Sequence, residues 1–178
     1  MTIAPSVEAV PTGTWASDPI HSTVGFAVRH MGLAPFRGGF KDFDATIADG
    51  RLVGSARVES ITTDDETLTG HLLSPDFFDA DRHPELRFEA DEIRTDGDRV
   101  VVPGQLTLKG ETRPVELRGT VSGPITDPYA NSRLGLELEA TIDRSEFGID
   151  WQAELPSGGE MVANEVKLTA QLELVKQA

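Results

Sequence analysis

HLLSPDFFDADRHPELRF, residues 71–88, is the one long interruption in a chain that otherwise alternates apolar and polar side chains. Leu72, Leu73, Phe77 and Phe78 put four large apolar groups into seven residues. Their spacing is not period 2, and Pro75 and Pro84 break any long helix, which leaves short helical turns. Ser74 stands as an N-cap, with Pro75 at the first helical position and Asp76 in the first turn, where the helix dipole favours negative charge. A compact apolar turn of this kind plugs one end of a barrel, and its bulky side chains require an apolar space to enter. The plainer reading is that Phe77 and Phe78 are ordinary core, the usual fate of aromatic pairs.

The flanking segments read as strands. Ile20, Ser22, Val24, Phe26, Val28 and His30 share one face, with His21, Thr23, Gly25, Ala27 and Arg29 on the other. His30 ends the apolar face just before Met31-Gly32, so it is expected at a rim. A second strand opens at Phe36-Arg37-Gly38-Gly39-Phe40 and runs to Ile47, its paired glycines predicting a bulge or sharp coil. Asp49-Gly50 is a hairpin turn, and a third strand follows over 52–59. The polar segment 62–70 predicts a short helix starting at Thr63 or Asp64 and leading into the plug. Beyond the plug come strands over 86–91, 100–102, 105–109 (kinked at Pro103-Gly104), 115–121, 134–143 and 166–174. Phe26, Val28, Leu106, Leu108, Leu136, Leu138, Leu168 and Leu172 are expected inward. Arg29, Thr107, Glu137 and Lys167 are expected outward, because a one-residue slip would bury the charges. The loop 144–163 carries Phe147, Ile149 and Trp151 and is expected to cover the barrel mouth or line its entrance.

About eight amphipathic strands joined by short turns describe an all-β, eight-stranded antiparallel barrel with a helical plug between strands 3 and 4; a sandwich is the alternative. An eight-stranded interior is either filled by side chains or holds one small ligand. The scarcity of large aromatics outside the plug argues for a space the protein does not fill.

The chain has 178 residues, long enough for one domain with a substantial core. The reading is a flexible N-terminal tail over 1–13 and a barrel domain over 14–178. Sixteen basic against thirty acidic residues give a net charge of −14, and no local basic cluster stands out in the sequence. Both facts oppose nucleic acid and anionic membranes as partners. The absence of cysteine excludes disulfides, thiolate catalysis and Cys-based metal sites. MTIAPSVEAVPTGTW lacks the basic and apolar regions of a signal peptide, so a cytoplasmic location is expected. No stretch is long and apolar enough for an integral membrane segment.

Four motifs then bear a resemblance: residues 15–32 (WASDPIHSTVGFAVRHMG), 36–43 (FRGGFKDF), 71–88 and 142–148 (IDRSEFG). GQLTLKGETRPVEL at 104–117 fits as well. From about Trp15 to Lys176 the chain resembles the YceI-like family of lipocalin-shaped, polyisoprenoid-binding proteins. The resemblance implies an extended barrel holding a long isoprenoid lipid in an apolar tunnel, with a quinone-type or pyrophosphate head at the mouth and no enzyme activity, cofactor or metal. The Arg-Asp that relatives carry shortly before the plug is Leu68-Thr69 here. The expected partners are the isoprenoid lipid and a second copy of the chain as a homodimer. The residues expected to contact the ligand are Phe26, Val28, His30, Phe36, Arg37, Phe40, Leu72, Phe77, Phe78, Phe88, Leu106, Leu108, Leu136, Leu138, Phe147 and Trp151. His30, with Arg37 beside it, is expected to meet the head group, and a neutral quinone head fits the acidic protein better than an anionic one.

Two enzyme readings carry less weight. Asp18, His21 and Ser22 suggest a triad, but His21 and Ser22 point to opposite faces of a strand. His21, His30, His71 and His83 lack any metal-ligand spacing. A packed barrel without ligand is the third class.

Overall fold

Alternation with period 2 dictates which face of each strand is buried, and closure of the sheet turns that face into an interior. The computed structural model describes residues 10–178. The first stave is split into β1 (Thr14–Ser17) and β2 (Thr23–His30), and the second into β3 (Pro35–Phe40) and β4 (Phe43–Ala48). β5 (Arg51–Arg57) follows a turn in which Asp49 and Gly50 have φ of 52° and 78°. These are the left-handed values a two-residue hairpin needs. β6 (Ile61–Thr62) is a short rung against β3, and α1 (Glu66–Leu73) comes next. The chain continues through β7 (Glu85–Ala90), β8 (Arg94–Asp96), β9 (Arg99–Leu108), β10 (Glu111–Thr126), β11 (Ser132–Asp143) and β12 (Val162–Lys176).

Every stave pairs antiparallel with the next. β1 closes the ring by pairing both β4 and β12, with Trp15 opposite Ile47 on one side and Lys176 on the other. The result is a closed eight-stranded antiparallel barrel with the helical plug between its third and fourth staves. The register is the expected one. Phe26 faces Leu168, Val28 faces Val166 and Leu136 faces Leu172 on the inside, while Arg29, Glu137 and Lys167 are exposed.

The two ends of the interior differ. At the end where β1 meets β4 and β12, Trp15, Ile47, Val100, Val102, Leu134, Leu136 and Leu174 are each at most 1% exposed and form a solid base. Residues 1–9 of the expected tail lie outside the described residues. From Val10 the chain is packed: Val10 is buried, and the Trp15 indole N–H donates to the Pro11 carbonyl at 3.1 Å.

Four local expectations are corrected. Ile20 is not on the inner face; residues 18–22 form a turn between β1 and β2, and Ile20 is exposed. Gly38-Gly39 is not a bulge, since β2 and β3 stay in register throughout. Gly38 instead makes room for an aromatic ring, because a Cβ there would sit 2.5 Å from Phe26 Cζ. Pro103-Gly104 does not split a strand; β9 runs through it, and Gly104 lies under Phe88, whose Cζ would be 2.4 Å from an added Cβ. Ser74 is the C-cap of α1 rather than an N-cap, its hydroxyl donating to the His71 carbonyl. The N-cap is Asp65, whose carboxylate accepts from the amides of Thr67 and Leu68, and the helix ends where Pro75 disfavours continuation.

Candidate functional site

Above the solid base the interior is hollow. The cavity measures about 170 Å³, with walls that are apolar almost throughout. It reaches along β12 from Leu172 to Val162, roughly 33 Å of strand and, at the tilt of a small barrel, roughly 25 Å of barrel axis. It is therefore elongated and narrow.

Eleven of the residues expected at the ligand line this cavity: Phe26, Val28, Phe36, Phe40, Leu72, Phe77, Phe78, Phe88, Leu106, Leu108 and Leu138. Five do not. Leu136 belongs to the solid base, and Phe147, 1% exposed, is buried outside the lining. Trp151, half-buried in the loop 144–163, is not in the lining either. His30 is half-buried at the end of β2, opposite Val162, and is not in the wall. Arg37 is exposed on the outer face of β3, because the even-numbered neighbours Phe36, Gly38 and Phe40 take the inner one.

Two aromatic triangles hold the plug. Phe78 from the turn after α1 meets Phe26 and Phe40 from the wall, with ring centres 5.9 and 5.8 Å away and Phe26 to Phe40 at 6.0 Å. Phe77, His71 and Trp151 form the second at 4.8 to 5.5 Å, which locks the plug to the loop 144–163. His71 Nε2 also lies 3.0 Å from an Asp76 carboxylate oxygen. Lys109 adds a clamp, donating to the carbonyls of Pro75 (2.8 Å) and Gly148 (3.4 Å). Plug and loop together form the cap.

The residue that sequence reasoning passed over is Arg144. It borders the cavity at 3% exposure, and its guanidinium donates to three carbonyls: Ala163 and Ile149 at 2.9 Å, and Val162 at 3.3 Å. Among the described residues no carboxylate pairs with it within 4.0 Å. Burial pushes the guanidinium down from its ordinary value. Arg144 staples the start of the loop to its return into β12. The available signal was an arginine inside IDRSEFG, between Ile142 and Phe147 and just after Asp143, whose carboxylate caps the following turn. Ile142, Ile149, Val162 and Val166 complete that region of the wall.

The other polar candidates lie away from the cavity. Asp18, His21 and Glu173 converge near the base, with His21 Nδ1 at 2.8 Å from Asp18 and 3.3 Å from Glu173. The place a cation would take is filled by Arg133, 2.9 Å from Asp18 and 3.1 Å from Glu173. Hydrogen bonds from His21 and Arg133 hold the Asp18 carboxyl well below the carboxylate range, and the Asp18 bond raises His21. Arg133 likewise holds Asp127 down to about 2. The Ser22 hydroxyl is engaged with the backbone of Glu173, accepting from its N–H at 3.0 Å.

The YceI-like domain model matches residues 15–174. The chain belongs to the YceI-like family. Among curated YceI-like relatives, a UPF0312 protein of Photorhabdus laumondii is 32% identical over 134 residues, covering 71% of this chain and 70% of that one. Protein YceI of Shigella flexneri is 32% identical over 136 residues, covering 72% and 71%. The YceI-like barrel also superposes on BcnA of Burkholderia cenocepacia with a TM-score of 0.71, at 22% identity over 88% of this chain and 98% of that one. A polyisoprenoid binding domain from Saccharophagus degradans implicated in plant cell wall breakdown gives 0.71 at 13% identity, covering 92% and 98%. At these identities the two structures speak for the fold alone.

Proposed function

We propose that this protein is a non-catalytic carrier that holds the tail of a polyisoprenoid lipid, of the isoprenoid quinone or polyprenyl phosphate type, in its barrel. The observation that carries the reading is the cavity itself: elongated, narrow, apolar along its length and capped by an aromatic plug. Such a space favours a long hydrocarbon and disfavours any group that must be hydrogen-bonded when buried. The one buried charge at its wall, Arg144, is engaged with three carbonyls, so the tail occupies the cavity and the polar head stays at the cap end, near His30. Membership of the YceI-like family and the fold shared with a polyisoprenoid binding domain support the same reading.

The test is solvent extraction of the purified protein with mass spectrometry of the extract, followed by titration of stripped protein with an isoprenoid quinone, a polyprenyl phosphate and a polyprenol. A co-extracted isoprenoid and saturable one-to-one binding are expected. Absence of retained lipid together with no saturable binding of any of the three overturns the proposal. His30→Ala is expected to weaken the quinone more than an isoprenoid chain lacking the head; equal losses would make His30 a barrel residue only.

A further inference from the structure

The hairpin joining β2 to β3 carries exposed apolar residues beside unpaired cations. Leu33 is 73% exposed and Met31 40% at its tip. The tip is held firmly: His30 N–H donates to Ala34 O and Leu33 N–H to His30 O, both at 3.0 Å, and Met31 N–H donates to Met161 O at 2.7 Å. Arg29 donates to the Leu33 carbonyl from the side. Arg29 pairs across the strands with Pro35, and Arg37 with Ala27, so both guanidinium groups project from the same outer face of the hairpin.

These two arginines differ from most others in the chain. Arg51, Arg57, Arg87, Arg94, Arg113, Arg118 and Arg133 each sit on a carboxylate. Among the described residues Arg29 and Arg37 have none within 4.0 Å. Residues 19–41 are also the longest stretch of this acidic chain without Asp or Glu. Among the described residues the other exposed large apolar groups, Ile20, Ile125 and Tyr129, lie toward the opposite end, beside Asp18 and Asp127.

We infer that the β2–β3 hairpin is a docking surface for a bilayer containing anionic phospholipids, with Met31 and Leu33 set below the head groups and Arg29 and Arg37 on their phosphates. An apolar tip flanked by arginines is what an interfacial anchor requires, and the attraction acts locally even though the whole protein is negative, because charge is screened beyond about 10 Å at ordinary salt. The other face of the same hairpin is cavity wall, Val28 and Phe36 standing opposite each other. Docking therefore sets the cavity one strand's thickness from the bilayer. The inference goes beyond the carrier reading and does not need it.

The test is flotation of the full chain with vesicles of phosphatidylcholine alone or of phosphatidylcholine mixed with phosphatidylglycerol. Binding to the mixed vesicles that weakens with salt is expected. Arg29→Ala/Arg37→Ala should lower the partition constant on the order of 25-fold, about fivefold per charge, and Leu33→Asn should lower it as well. Tyr129→Asn at the other end should leave it unchanged. All four residues are on the surface, and near-UV circular dichroism checks each variant's fold. Failure of the wild type to float with mixed vesicles, wild-type flotation of the double arginine variant, or an equal loss in Tyr129→Asn overturns the inference. Lipid retained in the cavity is measured separately by extraction, so a failed carrier reading leaves this result standing.

Discussion

Phe78→Ala tests the cap and the cavity together. The ring is 9% exposed, touches Phe26 and Phe40 at centre distances under 6 Å, and forms part of the cavity wall. Truncating a buried phenylalanine costs about 3–5 kcal/mol. One side of this ring already faces empty space and has no contacts to lose there, so the low end applies, about 3 kcal/mol. For a domain of this length that corresponds to a fall in Tm of roughly 6–12 °C by differential scanning calorimetry of lipid-free protein. Affinity for an isoprenoid quinone, measured by titration, should fall by about 1–3 kcal/mol from the lost apolar contact. Phe78→Leu keeps most of the bulk and should recover much of both losses. A fall in Tm with unchanged affinity would make the plug core and not ligand wall. An unchanged Tm would refute the packing of the plug against β2 and β3.

Gly38→Ala drives a Cβ into the Phe26 ring, which lines the cavity and packs on Phe40 and Phe78; isoprenoid affinity should drop about tenfold with a stability cost of about 1–3 kcal/mol, checked by titration and chemical denaturation. Arg144→Met takes the guanidinium donor from the Ala163 and Ile149 carbonyls and leaves Val162 its bond from Gln152, so urea denaturation should report a loss of about 2–6 kcal/mol. Arg144→Lys should not restore it, since a single ammonium lacks the planar fork that spans Ile149, Val162 and Ala163. The cluster near the base makes stability depend on pH in two windows. Asp127, held down to about 2 from 3.8, contributes above its unfolded value and loses that contribution as pH falls from about 4 toward 2. His21 is shifted the other way: its contribution is complete below 6.5 and disappears as pH rises through its raised value. Tm followed against pH should therefore lose its upper step in His21→Asn, while the acid step, which the lowered Asp18 shares, should shrink in Asp127→Asn; an unchanged step in either variant would refute that assignment.

Much of this was legible because strand alternation is a local property. Whether residue 26 or 27 faces inward is decided by neighbours two positions away, so the wall positions on β2, β9, β11 and β12 could be read before any coordinates. The plug was legible as well, since four large apolar groups within seven residues, off period 2 and interrupted by Pro75, cannot be a strand. The departures arose where a residue's role depends on what stands opposite it. Gly38-Gly39 looks like a bulge until Phe26 is placed against it, and Ser74 looks like an N-cap until Asp65 is found to start the helix.

Residue types along the chain determined an amphipathic all-β barrel, its register and the position of its plug, since each follows from periodicity and backbone chemistry over a few residues. Only the tertiary structure decided where the barrel is solid and where it is hollow. Leu136 and Leu138 are equivalent in sequence, yet one is buried outside the cavity lining and the other borders the cavity. The difference is set by which inward side chains the stagger of the strands brings to one level around the ring, and that includes residues more than a hundred positions apart. The same closure carries Arg133 to Asp18, folds Arg144 onto the far end of its own loop, and sets Arg29 and Arg37 on one face of a hairpin. Such juxtapositions depend on distance through space, which the order of residues along the chain does not encode at any fixed spacing.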